Sequence, residues 1–277
     1  MLHLLKIEWL KIKNYRTFWI LAILYLLSIW GINFIVFSVQ EKIFEKSNVA
    51  GNDGSAMVKF LVGDKPYAFP KVWQATADVS SFLLFIAGLI MIIAVSNEYS
   101  FKTHRQNIID GLSRSQFILV KLVDGVIIAL ISSVLVVITG LFFGIYEGHT
   151  TVSFENFQYI FYFFLQALSY CWLAILFAIL FKRSGIAIGV FFLYTVILEN
   201  VLALVLNRAF PSSFFLTGTG NYLPIQSSDE LMPFPAFEGL QKQILQPVNN
   251  NVQLILVIIY LTLYFIVSKR KFERDDL

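Results

Sequence analysis

Six stretches of this chain are each long and apolar enough to cross a bilayer, and this constrains its fold more than any other feature. A hydrocarbon core about 30 Å thick takes roughly 20 residues of helix at about 1.5 Å rise each. Spans of that size are expected at 17–39, 79–96, 117–146, 157–181, 185–207 and 250–268. The third is free of charge only from Gly125 onward, the fifth holds one acid, and the sixth reaches full length by starting among the polar residues Asn249, Asn250 and Asn251. The first is longer than a secretion signal and lacks a small-residue cleavage site, so it reads as a retained helix. The rest of the composition agrees. Of the 277 residues 57% are hydrophobic and 14% charged, against roughly 45–50% and about 25% in a soluble domain. The predicted fold class is therefore all-α, a polytopic membrane protein with six transmembrane helices in a single domain, 1–277.

Six crossings put both termini on one side, and the basic residues choose the side. Lys6, Lys11, Lys13 and Arg16 precede span one; Lys102, Arg105, Arg114 and Lys121 lie between spans two and three. Lys182 and Arg183 follow span four, and Lys269, Arg270, Lys271 and Arg274 end the chain. That is 14 of the 21 basic residues, so the positive-inside rule makes both termini cytoplasmic, in a cell (inner) membrane. All seven prolines fall in the two long segments left outside. A net charge of +3 is too small to imply nucleic acid. The lone Cys171 reads as a small buried apolar residue, and His3, His104 and His149 lie too far apart to form a ligand-spaced metal site.

Residues 1–16 read as an interfacial helix, with Leu2, Leu5, Trp9 and Ile12 on one side and the lysines free to meet headgroups. Between spans two and three, Thr103 and Gln106 form a capping-box pattern that starts a short helix at about His104, and Gly111 suits its left-handed end. Ser113 and Gln116 repeat the box and start the third span. This short helix over 103–111 mixes Ile108, Ile109 and Leu112 with Arg105, Gln106, Asn107 and Asp110. That chemistry suits a protein groove, and it equally suits a solvated connector.

With Glu98 closing span two, Thr103 and Arg105 after it, Ser113 and Arg114 before span three and Lys121 opening it, the chain resembles the permease subunits of ABC transporters of the type 2 exporter class. The six spans, the N-terminal interfacial helix and the long outer segment 208–249 fit the same likeness, although the loop between spans one and two is longer than in many members. The resemblance implies that 103–111 is a coupling helix. His104, Arg105, Gln106, Ile109 and Asp110 would meet a separate ABC ATPase, and Thr103, Glu98, Arg114 and Lys121 would hold the helix ends. It also implies a second permease copy or a similar permease as partner, membrane lipid around both, and short re-entrant helices in 208–249 roofing the pathway. The chain has no Gly-x-x-x-x-Gly-Lys-Ser/Thr loop. It is therefore expected to bind no cofactor and to be no enzyme, with ATP and magnesium in the partner.

Within the spans, Glu199 and Asn200 are the costly groups. The tight turn after span four makes spans four and five an antiparallel hairpin and sets Gln166 at the height of Glu199, roughly 12–13 Å from the outer end. The two are expected to share a hydrogen bond, either as helix-to-helix glue or as a polar spot on a transport path. Lys121 and Asp124, three apart, read as a helix-surface ion pair. The aromatic run from Tyr159 to Phe164 reads as packing and lipid contact. Two other classes compete with the exporter. A membrane enzyme would need clustered catalytic groups inside the spans. A secondary transporter or scaffold would work without ATP, and a carrier of that kind is expected to show a pair of broken helices, of which the sequence gives no sign.

Overall fold

The computed structural model describes residues 2–49, 65–109, 111–147, 152–209, 218–235 and 250–274, and among these it contains helices and no strand. Five helices are long and apolar enough to cross a membrane, or six if one bent pair counts as a single span. Helix α1 is Leu2–Lys13 and α2 is Arg16–Val49. At 34 residues, α2 runs on for ten residues beyond the expected span and measures roughly 51 Å.

The expected second span falls on two helices. Helix α3, Val72–Ser81, and helix α4, Leu84–Ser100, meet at 49°. The chain is expected to hold no pair of broken helices, and this bend is a single break among the described residues. The break falls after Ser80 and Ser81: the Ser81 hydroxyl donates to the Asp78 carbonyl, and Leu83 N–H turns back to Ser80 at 3.0 Å. A helix kink at adjacent serines has this cause, local competition for the backbone carbonyls.

Helix α5, Thr103–Ile109, leads into α6, Arg114–Tyr146, and then α7, Gln158–Phe181. Helix α8 occupies Ser184–Ala209 and widens to a π-helix over Leu193–Leu198, immediately before Glu199. A 3-10 turn, Thr219–Tyr222, and the short helix α9, Gln226–Asp229, precede the last helix, α10, Asn250–Arg274.

Helix α7 is the central pillar. In its apolar window 72% is buried, against 22–39% for the other four long helices, and it packs on α4, α6 and α10. Two apolar cores stack along it. One, around Met91, Phe117, Cys171 and Ile175, lies toward the chain termini; the other, around Trp73, Phe143, Phe163 and Val257, lies toward the opposite end. Cys171 is fully buried. In the aromatic run Phe163 is buried and Phe161 faces outward. The outward faces of α2, α6, α8 and α10 carry exposed Ile, Leu, Val and Phe, the surface a helix shows when its solvent is hydrocarbon.

Candidate functional site

Both termini and α5 share one end of the bundle, as side-chain contacts show directly. The Arg114 guanidinium donates to the Glu273 carbonyl at 2.9 Å, tying the first turn of α6 to the last turn of α10. Lys11 on α1 reaches Glu98 at the end of α4 at 3.2 Å.

Helix α5 is a bracket with closed ends. It enters through Lys102 in a left-handed conformation, φ 57°, and leaves through Gly111 at φ 101°. Gly111 N–H bonds the Ile108 carbonyl at 3.1 Å and Leu112 N–H bonds Asn107 at 3.0 Å. This pair of bonds is the Schellman closure, in which glycine avoids the steric cost of positive φ. The Ser113–Gln116 capping box is present on both sides and starts α6. The box expected at Thr103 and Gln106 is not: Thr103 is already helical, its hydroxyl points back to the Glu98 carbonyl at 3.5 Å, and the Lys102 turn begins the helix instead.

The expected contact residues divide by which way they face. His104 is buried, its Nδ1 2.9 Å from the Glu98 carbonyl and its ring 4.7 Å from that of Tyr99, so it holds the bracket from within. Arg105, Gln106 and Ile109 face outward, Ile109 with 78% of its surface free. Asp110 lies outside the described residues.

Beneath the bracket is a group of charges that the helix-surface reading of Lys121 did not anticipate. Lys121 is 2% exposed and pairs with Glu98 at 2.5 Å and with Glu8 of α1, not with Asp124. The expected Lys121–Asp124 pair is thus corrected. Two carboxylates from other helices converge on the ammonium and take its ion pairs, while Asp124, one turn along on the same face, makes none with it. Lys11 closes the group by bonding Glu8 at 2.9 Å as well as Glu98. Burial pushes the Glu8 carboxyl up, and the charges of Lys121 and Lys11 beside it outweigh that, leaving it below its ordinary value. Buried ions so arranged bind α1, α4 and α6 at one point, because removing any one would strand another without a counter-ion. Glu8 had gone unnoticed, though it is the only acid in the first 40 residues. The apolar stripe expected on α1 is described only at Trp9, which is 53% exposed; the side chains of Leu2, Leu5 and Ile12 lie outside the described residues.

At the other end of the bundle lies a second polar layer. Gln166 and Glu199 do not bond each other. Gln166 Nε2 donates to Asp229 Oδ1 at 2.5 Å, and Glu199 Oε1 accepts from the backbone N–H groups of Ile225 and Gln226 at 2.5 and 3.1 Å. Their hydrogen bond is replaced by a short segment that passes between them and binds both. Asn200 contributes twice: its Nδ2 donates to the Thr195 and Val196 carbonyls, each at 3.1 Å, and its Oδ1 accepts from Gln226 at 2.9 Å.

The same segment is held from α10, where Gln253 donates to the Asn221 carbonyl and Tyr260 to the Tyr222 carbonyl. From α8, Asn207 Oδ1 accepts from Gly220 N–H at 2.6 Å. Gly220 approaches α8 so closely that a Cβ there would stand 2.6 Å from Ala203 Cα. Counting back along the helices, Gln166 is eight residues inside α7 and Glu199 ten inside α8, so the segment reaches roughly 12–15 Å below the helix ends. In the outer segment Leu231 and Met232 are buried, and 210–217 and 236–249 lie outside the described residues.

No curated protein matches the chain. A family model described as protein of unknown function (DUF2705) matches residues 33–277, which include Glu98, α5, Lys121, the Gln166 and Glu199 layer and the inserted segment, but not Glu8 or Lys11. With most of its length covered by that model, the chain belongs to the DUF2705 family.

Proposed function

We propose that this chain is the membrane-spanning permease subunit of an ATP-binding cassette exporter, set in a cell membrane with its termini and bracket in the cytoplasm. The observation that supports this most is the construction of α5. Seven residues of helix are closed at both ends, tied through Glu98, Lys121 and Arg114 to α1, α4, α6 and α10, and turned so that Arg105, Gln106 and Ile109 point away from the bundle. An element so fastened passes any displacement directly to the helices that hold it, which is what a bistable transport cycle needs from its contact with a motor. The chain has no phosphate loop. ATP and magnesium therefore belong to a partner ATPase chain, and a second permease, identical or similar, supplies the other half of the pathway. The inserted segment 218–233 then serves as the outer roof. Replacing Arg105 or Asp110 with alanine should weaken transport-coupled ATP hydrolysis about tenfold, the effect of losing ~1.4 kcal/mol at the contact. Undiminished coupling in both variants removes the assignment.

One feature favours a second reading, a secondary transporter working without ATP. The α3/α4 break and the π-helix of α8 lie in the second helix of each half of the chain, and the helices that carry them meet where Phe85 stacks on Phe191 at 5.5 Å. Paired helix interruptions are where such carriers place their substrates. Gradient-driven uptake by the purified chain alone, in vesicles without any ATPase, would select this reading.

A further inference from the structure

A cavity of about 310 Å³ opens beside the bracket between α1, α2, α4 and α6, within the range of small-molecule sites. Its walls are apolar, formed by Leu21, Met91, Ala94, Ile127 and Ile131, and its polar groups gather at one end, where Glu8, Lys11, Glu98, Lys121 and Asp124 line it. Ile127 and Ile131 are 39% and 51% exposed, so the opening lies on the outward side of α6.

We infer that this cavity is a side-entry site for a cationic amphiphile, with its ammonium head on Asp124 and its alkyl chain along the apolar walls.

Two observations carry this. The first is charge: three carboxylates and two ammonium groups line the cavity, which leaves one formal negative charge for a ligand to balance. The second is an open acceptor: Glu8 and Glu98 are taken by the two lysines, whereas Asp124 lines the same cavity and makes no ion pair among the described residues. A small inorganic cation would leave the apolar length unfilled, and an anionic head would meet the excess negative charge, so only an amphiphile with a positive head matches both ends. That chemistry is available from a membrane lipid of net positive charge and from a free alkylammonium compound. The inference does not rest on an ATPase docking against α5.

The test is photolabelling of the full chain in phosphatidylcholine nanodiscs with a diazirine-bearing dodecylammonium, read by peptide mass spectrometry. Label should fall on peptides containing Leu21, Met91 and Ile127, and dodecylammonium, but not dodecanol or dodecyl sulfate, should compete it away. Asp124→Asn should cut it roughly tenfold by removing one charge contact. Ile131→Trp, which fills the cavity without touching the charges, should cut it similarly. If lysyl-phosphatidylglycerol, a lipid of net positive charge, suppresses the label when added to the disc, the bilayer lipid is the occupant; if label persists there, a free amphiphile is. Labelling that ignores head-group charge, or that survives both substitutions, overturns the inference.

Discussion

The two polar layers of this bundle solve the problem of buried acids in opposite ways. At the terminal end, Glu8 and Glu98 are neutralised by Lys121 and Lys11, so the layer is held by charge between whole helices. At the other end, Glu199 and Asp229 are held by hydrogen-bond donors, two backbone N–H groups and the Gln166 amide, all belonging to or binding a short inserted segment. The first arrangement joins helices rigidly, because none of its members can leave without stranding a charge. The second fastens a removable piece, whose release would cost a few hydrogen bonds of modest net worth each. Under the proposed function, a pathway pushed from one end and opened at the other would use this division.

The sharpest way to break the comparison is Lys121→Met. It leaves two buried carboxylates sharing only Lys11, which is partly exposed, and should cost about 3–5 kcal/mol of stability, seen as early loss of helicity on unfolding in mild detergent. A variant as stable as the parent would mean that the charges bind nothing together. Gln166→Leu should be milder, about 1–3 kcal/mol for the acceptor left on Asp229. Its effect should be local, appearing as faster amide exchange at 219–229 with little change in the global transition. A collapse of the whole bundle would erase the distinction between joint and fastening.

The smallest effect is acidic. The Glu8 carboxyl sits below its ordinary value of 4.5, so its contribution is present above that value and is lost as the pH falls through the lower value in the folded protein. Acid should therefore loosen α1 before the opposite layer, and Glu8→Gln should abolish that step. Exchange rates of α1 amides between about pH 5 and 3 measure it.

Much of this architecture could be read from the chain because apolar length is a direct physical requirement of crossing hydrocarbon. The helices at Arg114–Tyr146 and Gln158–Phe181 lie on runs with no competing pattern. The break between Ser81 and Leu84 and the π-helix at Leu193–Leu198 were not legible, since both sit inside apolar runs and arise from how backbone carbonyls are shared. Hairpin geometry placed Gln166 and Glu199 at one height, but no local pattern announced that a segment 26 residues beyond Glu199 would come between them. Glu8 was missed for a different reason. The N-terminal helix was read by its lysines and its apolar stripe, whereas the informative residue was the solitary acid among them. In an apolar chain, an isolated charge of the minority sign is itself a pointer to a buried partner.

The most direct test of the proposed force-transmitting role of α5 is cross-linking from Ile109→Cys in native membranes. The only natural thiol, Cys171, is buried and should stay silent. The account predicts a cross-link to an ATPase carrying a phosphate loop, together with protection from impermeant thiol reagents applied outside the cell. Modification of that cysteine from outside, or the absence of any protein neighbour while transport continues, would contradict it.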